Sequence, residues 1–192
     1  MRGKDVVSFY QHLHRLPVEE RMFRLISVHC APTVAGLKIS TMVNLSHFGA
    51  KTCELWEGTA REAAKRLGLD DYVLHTSSRG HLVLFYRAHE LRAHLEELPN
   101  KEFLISHGYR EDGSLEEHLA RLRSRFSEGC PHEIGIFLGY PLADVKAFCC
   151  KDKRQCLATG YWKCYENVEE SLRLFRAYDR CRLERMRTFL AQ

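Results

Sequence analysis

Apolar residues recur along the chain with two periods, one helical and one strand-like, and the elements follow from where each period holds. Residues 4–15 place Val6, Tyr10 and Leu13 on one face of a first helix. Pro17 opens a second helix carrying Met22, Leu25, Ile26 and His29, since proline at the first helical position loses no hydrogen bond. Pro32 disfavours helix at Ala31, so this helix is expected to end near Cys30. Gly36 marks another break, and residues 38–45 suit either a strand or a short helix. Thr59 with Glu62 has capping-box spacing and Gly68 follows Leu67, which frames a helix over 60–67.

Residues 72–76 and 81–87 are β-rich runs around Ser77-Ser78-Arg79-Gly80, the pattern of a hairpin. The second run is apolar on both faces and suits a central strand. Leu91, Leu95 and Leu98 mark a helix stopped by Pro99. Ser114 with Glu117 caps another, whose stripe is Leu115, Leu119, Leu122 and Phe126. The run Ile134 to Leu138 reads as a buried segment, and the question it raises is whether His132 begins a buried strand. Residues 141–148 read as a short helix and 157–165 as a strand. Asn167 with Glu170 starts a long last helix, with Val168, Leu172, Phe175, Leu183, Met186 and Leu190 inward.

The fold class is therefore α+β: a small, mostly antiparallel or mixed sheet of three to five strands packed with several helices. One domain over 1–192 is expected, made of an N-terminal helical pair (4–30), an α+β body (31–165) and a C-terminal helix (167–190). The strict βαβ alternation of doubly wound nucleotide-binding folds is absent, and so are GxGxxG and GxxxxGK[ST]. No motif specifies a cofactor.

Charge changes this picture little. The 29 basic and 25 acidic residues give a net charge of +4. They interleave even in Arg173 to Arg187, which holds Asp179 and Glu184, so a solvated helix face is expected rather than a nucleic-acid surface. The start lacks a signal-peptide core of roughly 7–15 apolar residues, and no window approaches a membrane span. A cytoplasmic location and a small-molecule partner, with no nucleic acid and no membrane, are the expectations. In that compartment the eight cysteines are expected as thiols.

Cys30 is the first candidate site. With helical amides beginning at Pro32 and Lys38 nearby, its thiol would be acidified into a nucleophile; otherwise it is a small buried hydrophobe. His132 is the matching base, or else a surface histidine beside a solvated Glu133. The hypothetical catalytic pair is Cys30 and His132. Tyr161, Trp162 and Lys163 suit a pocket wall that meets an anion. Thr33, Lys38, Glu133 and Tyr140 complete the expected ligand-binding set. Cys130, His132, Cys149, Cys150, Cys156 and Cys164 cluster in sequence but lack the two-to-four-residue pairing of zinc ligands, so no metal site is assigned. His29, on an apolar face, reads as a core histidine.

Three segments together carry a resemblance: HCAPTVAGLK (29–38), PHEIGIFLGYPLADVKAF (131–148) and GYWKCY (160–165), followed by a helix with Phe175, Tyr178 and Cys181. They resemble a bacterial domain-of-unknown-function family whose members come mostly from anaerobes. Cys30, Ala31, Pro32, Thr33, Ala35, Gly36 and Lys38 match its C-A-P-T-x-A-G-x-K pattern. Cys164 stands where valine is usual, which argues against a shared role for that thiol. Cys149, Cys150 and Cys156 are likewise peculiar to this chain. A local stretch, HEIGIFLG, is similar to the histidine-bearing strand of the NlpC/P60 cysteine peptidases, in which the nucleophile lies earlier in the chain, as Cys30 does here. The family resemblance names no reaction, but these segments are rich in polar and aromatic groups that a core does not require, so a small-molecule-binding or accessory protein of anaerobic metabolism is expected. A cysteine-dependent hydrolase or transferase is the alternative, with an iron- or haem-handling protein third.

Overall fold

The structure is a computed structural model that describes residues 2–45, 59, 61–78, 80–150 and 155–192. Its centre is a three-stranded antiparallel sheet of β1 (Ser40–Asn44), β2 (Asp70–Ser77) and β3 (Gly80–Tyr86), with β3 in the middle. The hairpin β2–β3 pairs Ser77 with Gly80, while β1 pairs Ser40 with Tyr86. The segment 38–45, open between two readings, is thus mainly a strand.

Alternation along β3 explains why this strand is apolar on both faces. Successive side chains point to opposite sides of a sheet. Val83 and Phe85 join one core with α1 (Arg2–Leu13), α2 (Val18–Val34) and α3 (Arg61–Arg66); Met186 and Phe189 of the last helix close it. Leu84 and Tyr86 join a second core. That core is built by α4 (Ala88–Glu96), α5 (Leu98–Ser106), α6 (Leu115–Arg125), α7 (Ile134–Phe137) and α8 (Leu142–Cys149). A short hairpin of β4 (Ala158–Thr159) and β5 (Lys163–Cys164) leads into α9 (Val168–Leu190). Trp162, Cys164, Phe175 and Tyr178 form a third cluster there.

Several expectations need correction. Helix α2 does not stop near Cys30 but runs through Pro32 to Val34. Proline removes one N–H and disfavours the helical region before it. Tertiary packing overrides both, because Pro32 and Thr33 are buried and Thr33 Oγ1 lies 2.8 Å from Thr41 Oγ1 on β1. The helix carrying Leu91 and Leu95 does stop before Pro99, at Glu96, but Leu98 belongs to the next helix, and Pro99 lies in the first turn of α5, where its missing N–H costs nothing. Residues 134–137 form one helical turn, so His132 does not begin a strand. The expected strand 157–165 is two two-residue strands around a turn.

Caps and faces differ in detail. Ser114 and Glu117 do form the capping box, with Ser114 N donating to Glu117 Oε2 at 2.8 Å and Glu117 N to Ser114 Oγ at 3.2 Å. Asn167 instead sits in the left-handed region (φ 47) without a side-chain cap bond, and Glu170 pairs with Arg173. Leu172 of α9 and Tyr10 of α1, expected inward, are exposed, while Phe9 is fully buried. Residue 60 of the Thr59–Glu62 box, Arg79 of the hairpin turn and Cys53 lie outside the described residues.

Candidate functional site

The loop after α2 and the turn after α7 are clamped together. Ser40 Oγ donates to the Phe137 carbonyl at 2.7 Å. Gly139 adopts φ +70, and a Cβ there would stand 3.0 Å from Ile39 Cγ1. A residue that combines positive φ with close approach is best served by glycine. The clamp brings Lys38 against the Tyr140 ring, with Nζ 5.8 Å from its centroid.

The hairpin β4–β5 supplies the next wall. Gly160 lets the turn lie directly on α9, because a Cβ would fall 2.2 Å from Phe175 Cε2. Trp162 then packs edge-on to Phe175 at 4.5 Å and tilted on Tyr140 at 5.0 Å between centroids. Its indole N–H donates to Asp144 Oδ2 at 2.9 Å. Asp144, buried at the start of α8, also accepts from Tyr165 N at 2.7 Å and Glu166 N at 3.2 Å.

Between this hairpin and α7–α8 opens a cavity of ≈ 280 Å³. Tyr140, Trp162, Phe148, Ile134 and Val145 make its walls largely apolar. Polar groups enter it from His132, Lys163 and Cys130. The His132 ring meets Phe148 edge-on at 4.7 Å, and Lys163 Nζ lies 5.4 Å from the Phe148 centroid. Both side chains are thereby placed on one aromatic residue at the rim, and both residues are exposed.

Tyr161 faces away from this cavity toward α9. Its hydroxyl donates to Asp179 Oδ1 at 3.0 Å and accepts from Arg182 Nη1 at 3.3 Å. Arg182 also bonds His29 Nδ1, so the core histidine expected at 29 is an anchor for α9. Lys38 Nζ lies 6.0 Å from the Tyr161 centroid. Burial, then the Arg182 charge, lowers the Lys38 ammonium to about 8. Burial raises the Tyr140 phenol to about 12.

The predicted residues therefore separate into groups. His132, Tyr140, Trp162 and Lys163 line the cavity; Lys38 and Tyr161 adjoin it through Tyr140. Thr33 is fully buried, and its carbonyl accepts from Arg87 Nη1 at 2.9 Å, so its bonds are spent within the fold. Glu133 is not solvated: it is 1% exposed, paired with Arg125, and accepts from Tyr109 Oη at 3.5 Å. Cys30 is fully buried in the first core, and desolvation pushes its thiol far above the ordinary range. The helical amides invoked to acidify it are interior to α2 rather than a helix start. Cys130 is instead the exposed thiol beside His132.

Sequence reasoning missed Asp144, Gly160, Phe148 and Arg182. The GYW turn and the PLADV run held the first two in plain view, but only the packing shows what each touches. Among the described residues no group of three His, Cys, Asp or Glu side chains converges as a metal site. No helix there is long and apolar enough to cross a membrane.

This α+β fold with an aromatic cavity belongs to a defined family. A family described as a protein of unknown function, DUF3793, matches residues 26–192, and the chain is a member of it. No curated protein and no solved structure matches the chain.

Proposed function

We propose that the protein binds a small, flat and largely apolar ligand bearing one anionic group, in the cavity between α7–α8 and the β4–β5 hairpin. In this reading it is a binding or accessory protein of anaerobic bacterial metabolism, acting in the cytoplasm. The observation that carries the reading is the pairing of a tilted Tyr140–Trp162 wall with Lys163 and His132 at the rim. Apolar pockets with a few placed polar groups are the usual form of a ligand site. The volume of ≈ 280 Å³ suits a molecule of one or two rings.

The thiol-enzyme reading has less support, since a nucleophile must meet its substrate and Cys30 is fully buried. The iron- or haem-handling reading finds no converging donor set among the described residues.

A titration with aromatic carboxylates, followed by nuclear magnetic resonance of the Trp162 indole N–H, tests the binding reading. Binding shifts that resonance, and Lys163→Ala weakens affinity about tenfold, the equivalent of one lost charge contact of about 1.4 kcal/mol. An unmoved resonance at millimolar ligand across charged and neutral aromatics overturns it.

A further inference from the structure

Lys38 differs from the other described lysines in its surroundings. It stands in the loop between α2 and β1, partly buried, with its Nζ 5.8 and 6.0 Å from the Tyr140 and Tyr161 centroids. Among the described residues nothing hydrogen-bonds or ion-pairs with this Nζ. The carboxylate of Asp179 accepts from the Tyr161 hydroxyl at 3.0 Å. The neighbouring cation, Arg182, is held by Tyr161 and His29 and cannot swing away without breaking both bonds. Desolvation and the second cation, Arg182, favour a neutral, nucleophilic amine and outweigh the weak attraction of the two ring faces for an ammonium at 5.8 and 6.0 Å.

We propose that Lys38 is a carbonyl-capture site: its amine condenses with an aldehyde or ketone that carries an anionic group, and Arg182 receives that group. The amine nitrogen adds to the carbonyl carbon, giving a carbinolamine. Loss of the carbonyl oxygen with the two amine protons, as water, leaves the C=N bond of an imine. The step is a condensation, so no oxidant or reductant is needed. Guanidinium is the side chain best shaped for a carboxylate or phosphate, and the described bonds use only two of its five donors.

The groups facing Lys38 fix how its reactivity depends on pH. They are Arg182 from α9, the buried Cys30 thiol from α2, Tyr140 from the α7–α8 turn and Tyr161 from the hairpin. Titration near 8 makes the neutral amine roughly two hundredfold more abundant at neutral pH than in an ordinary lysine near 10.4. The inference goes beyond ligand binding in the cavity and does not depend on it.

Pyridoxal 5′-phosphate supplies both an aldehyde and an anion. The full chain is treated with it at pH 7.5, reduced with borohydride and mapped by peptide mass spectrometry. Lys38 is expected to label at least tenfold faster than the exposed Lys146 and Lys163, with a midpoint near pH 8. Pyridoxal without the phosphate is expected to label it several-fold more slowly, and Arg182→Gln to abolish that difference. A Lys38 rate equal to that of the exposed lysines, or a midpoint near 10.4, overturns the proposal. Equal rates with pyridoxal and its phosphate overturn the role of Arg182. The wild-type map decides whether or not a Lys38→Met control folds. Silence here, with the Trp162 resonance still shifting on ligand addition, separates this failure from failure of the cavity.

Discussion

Trp162 donates its indole proton to Asp144 across 2.9 Å, which ties the aromatic wall of the cavity to the first turn of α8. Asp144 is 3% exposed and serves two backbone N–H donors besides the indole. Asp144→Ala removes the acceptor of one buried donor, the Trp162 indole, and of two backbone donors nearer the surface, at Tyr165 and Glu166. A loss of about 2–4 kcal/mol is expected, because an unsatisfied buried donor costs its full desolvation penalty. Urea denaturation measures it, and the Trp162 resonance moves in the folded variant.

Gly160→Ala is a steric test of the same wall. The added methyl meets the Phe175 ring at 2.2–2.3 Å, closer than any real contact, and the ring is fixed by Trp162 and Tyr161. Overpacking of this kind costs about 1–3 kcal/mol. The hairpin lifts off α9, so ligand affinity falls together with stability in parallel titrations.

Much of the fold was legible in the sequence because it rests on local rules. The run 81–87, apolar on both faces, marked the central strand, and Ser114 with Glu117 marked a helix start whose box is formed. The errors have two sources. Proline at 32 and the apolar run 134–138 were judged by local preference where the rest of the fold decides, whereas Pro99 obeys a local rule, opening the first turn of α5 after α4 has ended at Glu96. The Thr33–Thr41 hydroxyl contact and the buried Pro32 hold α2 past its expected end. For the site, aromatic and basic residues in the motifs did point to the cavity through His132, Tyr140, Trp162 and Lys163. Thr33 and Glu133 shared those motifs for reasons of packing, and no local pattern separates the two uses. Asp144 and Arg182 act on residues 18 and 153 positions away, a range no spacing rule reaches.

Lys38 couples stability to pH. Its folded-state value near 8 lies below the unfolded value near 10.4, so the unfolded chain holds the extra proton between them. The charged amine therefore penalises the fold fully below pH 8, and the penalty fades as pH rises to about 10.4. Lys38→Met is expected to be more stable than wild type at pH 7, by about 1–3 kcal/mol, with the difference gone near pH 10.5. Paired denaturation curves at the two pH values check the sign.

Thiol reactivity divides by burial. Exposed Cys130 and Cys150 are expected to alkylate first in the native protein. Cys30 has no exposed surface and a raised pKa, so its modification follows the global opening of the chain. Time-resolved peptide mapping with iodoacetamide checks this. Cys30 reacting as fast as Cys130 would restore the thiol mechanism.

The bonds that assemble this region also set when it can exist. Ser40 reaches Phe137 over 97 residues and Arg182 reaches His29 over 153. Closing such long loops is the entropically slow part of folding. Individual helices can form early, yet the cleft and the isolated amine have no counterpart in any fragment of the chain. Recovery of ligand binding during refolding should therefore lag behind recovery of helical content, and proteolytic pieces that keep their helices should have lost the site entirely.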